Sequence, residues 1–339
     1  MKQVGIVGLG LIGKERLRAV KLLQDKQLPV RVKAVMDPGQ NDIQAIAEQA
    51  KAMVCSSIEE MIDCNPDLVI VAVPHDTAVG ITMKLLSSNL NVLLEKPMGR
   101  SLAEANQIAT KCSHSAQLLI AHNYRFFSGV AMLLQDIKAE RFGQPIGFSL
   151  LLGHGGSPGD EKSWKLDKEK AGGGALIDPG IHLIDICNLV GEKLDYVGGA
   201  SWSGFWKTNI EEECRLVMRS QNIPMIDLTV SIVRWRSTFR LEFFGKTGYG
   251  IVQGRGRSYG PQEYRRGQRW GWQSGKSQAE SEELVVTSSC DEVFADELES
   301  VLFANNADGL RHVCTVSESI KNMEVLEQCR EMMKIRQKT

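Results

Sequence analysis

The stretch Gln3-Val4-Gly5-Ile6-Val7-Gly8-Leu9-Gly10-Leu11-Ile12-Gly13 decides the fold of the first third of this 339-residue chain. A short apolar segment runs into the spacing G-x-G-x-x-G, and Lys14-Glu15-Arg16 then opens a helical pattern. At the end of a strand, Gly8 permits a tight turn. Gly10 lets the backbone approach a pyrophosphate, and Gly13 lets the helix pack closely. The helix N-terminus, with the backbone of Leu11 and Ile12, favours negative charge. The glycine spacing alone is a weak signal. Its context strengthens it, because Asp37 closes the second apolar run 24 residues after Gly13, where an acid takes the ribose hydroxyls of a dinucleotide. That carboxylate would repel a 2′-phosphate, and Pro38-Gly39 brings no arginine to offset it. NAD is therefore expected, with NADP less favoured.

Further strand-like runs follow at Val30–Asp37, Leu68–Pro74, Asn91–Glu95 and Gln117–His122, with a weaker one at Met53–Cys55. Helical patterns lie between them at about 11–24, 42–50, 57–63, 77–88 and 101–114. Continuous apolar strands alternating with helices predict a doubly wound parallel sheet covered on both faces. After residue 128 the pattern changes. A helix at about 128–141 and a strand at 145–153 lead into a Gly-rich stretch and a very apolar helix. Alternating runs at 194–203, 211–220, 224–235 and 238–244 then predict a mainly antiparallel open sheet with one exposed face. Helices at about 292–304 and 317–335 close the chain. The expected division is a dinucleotide-binding domain over 1–123 and an α+β domain over 124–339, with a ligand in a cleft between them.

Composition narrows the function. Apolar residues make up 43 %, the formal net charge is −1 and the pI is near 6.6, so no nucleic-acid or membrane partner is expected. No run of about 18 apolar residues predicts a membrane span. The N-terminal apolar run is followed at once by charges and has no small-residue cleavage site, so it reads as a strand rather than a signal peptide. The eight cysteines show no metal-type spacing, and no metal is expected. Several sit in apolar contexts as small core residues, which suits a cytoplasmic location.

The apolar helix carries the chemistry. Over Gly173–Gly191 nearly every position is apolar, with Asp178 placed as an N-cap, Pro179 at the first helical position and Gly191 as a stop. Yet Asp178, His182 and Asp185 fall at spacings of four and three, which puts them on one helix face. Buried charges are costly unless paired or used. A carboxylate one turn from a histidine can hold its tautomer and stabilise its protonated form. Taken alone, Asp178 reads equally as a cap and His182 as a hydrogen-bonded core residue.

Strand ends add a second set. Ligands of an open parallel sheet sit outside the carboxyl ends of its strands. Pro74-His75 ends one such strand and Glu95-Lys96-Pro97 the next. By spacing alone Lys96 reads as a surface lysine before a turn proline; at a cofactor's reactive end it could stabilise a developing alkoxide.

Together, Glu95-Lys96-Pro97 after the dinucleotide half, His122-Asn123-Tyr124-Arg125-Phe126 at the sixth strand, and Gly172-Gly173-Gly174-Ala175-Leu176-Ile177-Asp178-x-Gly180-x-His182-x-x-Asp185 resemble the glucose–fructose oxidoreductase / inositol dehydrogenase / MocA family. The resemblance covers essentially the whole chain. It implies a Rossmann domain followed by a substrate domain, and an oxidoreductase acting on a sugar, cyclitol or related polyol. It also implies the triad Lys96, Asp178 and His182, and a homodimer or homotetramer through the C-terminal sheet. His182 would take or return the hydroxyl proton, Asp178 would orient it, and Lys96 would hydrogen-bond the same oxygen.

Tyr124, Arg125, His154, Trp164 and Asp185 are further candidates for substrate contact, each of which also reads as surface or packing. The segment 254–276 interleaves Arg255, Arg257, Arg265, Arg266, Arg269 and Lys276 with Tyr259, Tyr264, Trp270 and Trp272. It reads as a solvated loop or subunit contact, or as a recognition element for an anionic substrate. Two rivals follow: a nucleotide-sugar or acidic-sugar dehydrogenase of surface-polysaccharide synthesis, and a redox sensor that binds dinucleotide without turnover.

Overall fold

In the computed structural model, which describes residues 1–112, 116–303 and 313–337, the N-terminal apolar run is strand β1 (Lys2–Val7). It leads through the glycine turn into α1 (Leu11–Asp25). There follow β2 (Val30–Met36), α2 (Ile43–Ala50), β3 (Met53–Val54), α3 (Ile58–Asp63), β4 (Leu68–Val71), α4 (His75–Ser87), β5 (Val92–Glu95), α5 (Leu102–Ala109) and β6 (Leu118–Ala121). The ends expected for two helices, at 113–114 and 304, lie outside the described residues. Strands β3, β2, β1, β4, β5 and β6 stand side by side, all parallel. Their middles are wholly buried at Val4, Ile6, Val69, Ile70, Leu93 and Leu94, as continuous apolar runs require of a sheet with helices on both faces.

Contacts divide the chain into two units: Met1–Asn123 with Glu292–Ile320, and Tyr124–Asp291 with Lys321–Thr339. The return of Glu292–Ile320 to the first unit differs from a division into two consecutive blocks. In that return, α10 (Val293–Phe303) packs on α1, and β15 (Cys314–Thr315) pairs antiparallel with β6. The physical reason is an ion pair: Arg16 of α1, wholly buried, meets Glu297 of α10 at 2.6 Å.

The second unit holds α6 (Ser128–Lys138), β7 (Pro145–Gly153), α7 (Lys168–Ala171), α8 (Ile181–Val190), β8 (Asp195–Trp202), β9 (Glu213–Arg219), β10 (Ile226–Ser231), β11 (Thr238–Gly245), β12 (Gly248–Gln253), β13 (Gln262–Gln268), α9 (Gln278–Ser281) and β14 (Glu283–Ser288). The sheet order is β14-β13-β12-β11-β7-β10-β9-β8, antiparallel except for the β7–β10 pair. Alternation works as expected: Cys214, Leu216 and Met218 of β9 are buried while Arg215, Val217 and Arg219 face out. On the buried face Phe243 meets Phe142 and Phe148, with ring centroids 5.8 and 5.7 Å away. The last helix, α11 (Val316–Gln337), begins in the first unit and ends in the second.

Part of segment 254–276 is not a loop. Gln262–Gln268 is strand β13, paired on both sides. Its polar sequence hides the pattern because its arginines are neutralised inside the fold. Outward-facing Arg265 pairs with Glu263 at 3.2 Å, while Arg266 reaches Asp136 of α6 and Glu283 of β14 at 2.9 and 2.8 Å. Asp136 also accepts Tyr264 Oη at 2.6 Å. Burial pushes the Asp136 carboxyl up, but the hydrogen bonds from Tyr264, Arg266 and Arg141 outweigh it and leave it below the usual carboxylate range. A depressed folded-state value stabilises the native state above the unfolded carboxylate pKa of about 3.9, and the benefit fades as pH falls through the folded value. Asp136→Asn is therefore expected to cost about 2 kcal/mol near pH 7 and less in acid, read by urea denaturation at several pH values. An equal loss at every pH would contradict this.

Candidate active site

At the nucleotide end, the three glycines divide their work. Gly8 has φ +92°, and a Cβ there would lie 2.3 Å from the Ala72 carbonyl oxygen. A Cβ at Gly13 would lie 1.9 Å from the Gly8 carbonyl oxygen, so only glycine lets α1 close on the turn. A Cβ at Gly10 would meet nothing within 4 Å. That open space lies at the N-terminus of α1, where Gly10 provides no side-chain cap for the first N–H groups of Leu11 and Ile12. Unoccupied space beside uncapped N–H donors is what a pyrophosphate requires. Asp37, just past β2, accepts the Leu9 and Gly39 N–H groups at 2.7 and 2.9 Å. A carboxylate has about four acceptor positions, so these two bonds fix its direction and leave capacity for ribose hydroxyls. The residues present therefore fit NAD.

At the next strand ends, Pro74 precedes α4 and His75 opens it, buried at 6 % exposure. Glu95 ends β5 and is drawn into the protein. Its Oε1 accepts Arg16 Nε and Nη2 at 2.8 and 2.6 Å. Glu95 was expected to contact the cofactor; the structure gives its carboxylate an anchoring partner in Arg16. Arg16, which sequence reasoning passed over, sits between Glu95 and Glu297 with Phe294 under its guanidinium at 4.8 Å. Burial pulls the Arg16 guanidinium down, but the two carboxylates more than offset this and raise it. One signal was available: Arg16 falls among Gly13, Ala19, Val20 and Leu23 on the buried stripe of α1. Lys96, half-buried, follows Glu95 directly, with a cis peptide bond to Pro97.

In the second unit, α8 starts at Ile181 behind Gly180 rather than at Pro179. Asp178 is therefore not its N-cap. Residues 175–180 form turns in which the Ile177 and Asp178 N–H groups both donate to the Gly174 carbonyl, at 3.1 and 3.0 Å. The Asp178 carboxylate turns to Lys165 Nζ, 2.9 Å away. His182 is on the first turn of α8, 4 % exposed, and stacks on the Tyr124 ring with centroids 3.8 Å apart and planes 4° from parallel. Tyr124 comes from the short 3-10 turn Asn123–Phe126, and burial pushes its phenol up.

Arg125 and Asp185, expected at the substrate, form a buried ion pair. Arg125 Nε and Nη2 donate to the two Asp185 oxygens at 2.7 and 2.5 Å, each side chain being 1 % exposed. Asn322 adds a third bond to Asp185 at 2.7 Å, and Asn188 donates to Asn322 at 2.8 Å. Side chains this covered position α8. His154 follows β7, half-buried, and its Nδ1 accepts the Gly156 N–H at 3.1 Å. Burial lowers its pKa, and Asp178, Lys165 and Arg255 all act on it electrostatically. Trp164 lies in the turn before Lys165, whose ammonium is 5.9 Å from the indole. Tyr124, His154, Lys165, Asp178, His182 and Arg255 thus form one connected cluster within the second unit.

A parallel sheet with an open glycine cradle, joined in one chain to a second sheet unit bearing a Tyr–His stack, defines a dinucleotide-binding oxidoreductase architecture. Residues 2–122 match the oxidoreductase family model with an NAD-binding Rossmann fold, and residues 130–250 match the GFO/IDH/MocA C-terminal domain. The chain belongs to the Gfo/Idh/MocA family, and its first unit is the NAD-binding Rossmann domain. It is 30 % identical over 252 residues to 2,7-anhydro-N-acetylneuraminate hydratase of Mediterraneibacter gnavus, covering 70 % of this chain and 63 % of that one. It is 28 % identical over 189 residues to glucose-6-phosphate 3-dehydrogenase of Bacillus subtilis, covering 55 % and 53 %. The chain spans about half the length of the curated relatives it matches. Levoglucosan dehydrogenase in complex with NADH and levoglucosan superposes with a TM-score of 0.84 at 16 % identity, over 99 % of this chain and 97 % of that one, a likeness of fold. No helix among the described residues is long and apolar enough to cross a membrane.

Proposed function

We propose that the chain is an NAD-dependent oxidoreductase acting on a hydroxyl or keto carbon of a sugar, cyclitol or related polyol. The observation that carries the reading is His182, buried and held flat against Tyr124 in a chain that also carries the open glycine cradle. NAD, when bound, accepts or returns the hydride at its nicotinamide C4. His182 takes the hydroxyl proton in oxidation and returns it in reduction. Asp178 steadies the protonated imidazole, and Lys96 donates a hydrogen bond to the same oxygen. Relatives named for glucose 6-phosphate and levoglucosan support a sugar-like substrate. The eight free thiols support a cytoplasmic setting. Association through the outward face of the second sheet, where Val217, Phe244 and Leu284 are exposed, is part of the same proposal, and light scattering tests it.

NADH formation with purified protein and a panel of sugars and cyclitols tests the activity; no turnover of any panel member in either direction, with NAD bound, would favour the non-catalytic sensor. Asp37 makes the cofactor preference specific. NAD is expected to bind at least about 10-fold tighter than NADP, since a carboxylate facing a 2′-phosphate is a like-charge clash. Asp37→Ser combined with Pro38→Arg should weaken or reverse that order in a fluorescence titration. Tighter NADP binding by the unaltered protein would overturn it.

A further inference from the structure

Among the basic residues of segment 254–276, Arg265 and Arg266 are committed to carboxylates and Arg269 lies exposed over Trp270 at 4.1 Å. Arg255 differs. Its Cζ sits 3.9 Å from the centroid of Tyr259 and 5.4 Å from that of Tyr124, the ring on which His182 stacks. Its guanidinium meets the Tyr259 hydroxyl, no carboxylate pairs with it among the described residues, and its Nε is buried without a hydrogen-bond partner. Of the neighbouring carboxylates, Asp178 pairs with Lys165 at 2.9 Å, and Asp160 is turned to the Ser157 N–H at 2.7 Å. Arg255 therefore brings an unmatched cation to the cluster that holds His182.

The backbone that presents Arg255 is built tightly. Gly254 and Gly256 on either side have φ +74° and +82°, and a Cβ would lie 2.0 Å from the Pro261 oxygen at the first and 2.3 Å from the Ser289 oxygen at the second. Gly254 N–H donates to Phe239 O at 3.0 Å and Gly256 N–H to Gly260 O at 2.7 Å. Only glycine fits both positions, so the arginine is held rather than trailing in solvent. Aromatic faces support a weakly hydrated guanidinium from the side of its plane, while its N–H groups point outward in the plane. Those donors match the paired oxygens of a carboxylate or phosphate.

We propose that Arg255 is the specificity residue of this site, and that it selects a sugar carrying a carboxylate or phosphate. The proposal rests on the oxidoreductase reading above and narrows its substrate class. Calorimetry on the full chain saturated with NADH, using glucuronate, glucose 6-phosphate, glucose and inorganic phosphate, tests it. At least one anionic sugar is expected to bind about 10- to 100-fold tighter than glucose, the usual range for a charge-assisted bond. Arg255→Gln should collapse that ratio toward one, and Arg255→Lys should keep part of it, because a lysine retains charge without the fork. Unchanged melting temperatures would show that both variants are folded. Equal affinity of the unaltered protein for anionic and neutral sugars overturns the proposal, as does a ratio that survives in Arg255→Gln, absence of binding by any anionic sugar, or inorganic phosphate binding as tightly as the sugars. NADH formation is scored separately: anionic sugars that bind in this pattern but reduce no NAD leave the role of Arg255 standing and remove the oxidoreductase reading.

Discussion

His182→Ala is expected to lower turnover of the true substrate by about 100- to 1,000-fold, with NAD affinity changed by less than about twofold. His182 is 4 % exposed and its ring lies parallel to Tyr124, so its orientation is set before any substrate arrives. An acid/base held in place contributes through geometry as well as proton affinity, and water entering the truncated site recovers only part of this. Lys96→Ala should produce a loss of similar size by removing a cation from the reacting oxygen. The two variants differ in a second readout. Lys96 lies at the carboxyl edge of the nucleotide-binding sheet, so its loss is expected to weaken NAD binding as well, whereas His182 belongs to the other unit. Steady-state kinetics with a cofactor titration checks both. Wild-type turnover in either variant removes that residue from the mechanism, and a fallen melting temperature would mark the loss as structural.

Arg16→Met should destabilise the first unit by about 3–5 kcal/mol. It would strand Glu95 and Glu297, which meet Arg16 at 2.6 Å each and are 14 % and 1 % exposed at the side chain. Leaving a buried carboxylate without its partner costs more than the pair contributes when intact. The companion triple variant Arg16→Met, Glu95→Gln, Glu297→Gln should recover most of the loss, because no charge is then left uncompensated. Thermal and urea melts of both proteins make the comparison. A triple variant as unstable as Arg16→Met would show that packing of the long side chain, rather than charge, is what matters. Because Glu95 precedes Lys96, the triple variant should also turn over more slowly than its stability predicts.

Much of this was legible in the chain. The strands and helices of the first 110 residues appear within a few positions of where hydrophobic period and glycine spacing put them, because a parallel sheet is buried on both faces and leaves uninterrupted apolar runs. The turn at Gly8 to Gly13 was legible for a related reason: the need for glycine at both ends is set by backbone geometry at one place. Strand β13 was hidden because Gln262-Glu263-Tyr264-Arg265-Arg266-Gly267-Gln268 carries charge on both faces. Those charges are balanced by Asp136 and Glu283, residues 130 and 17 positions from Arg266, which no local pattern reveals.

The sequence by itself determined strands β1 to β11 and the longer helices, the parallel first sheet, the mainly antiparallel character of the second and the position of His182 on a buried helix. Periodicity and turn chemistry are local, and they act over a few residues wherever the chain goes. Only the tertiary structure decided which charges are partners. It gave Arg125 to Asp185, Arg16 to Glu95 and Glu297, and Asp178 to Lys165, and it left Arg255 against two tyrosines. Charge pairing is a property of distance in space and of burial, and residues as far apart in sequence as Arg125 and Asp185, 60 positions, or Arg16 and Glu95, 79 positions, acquire both only when the chain has folded.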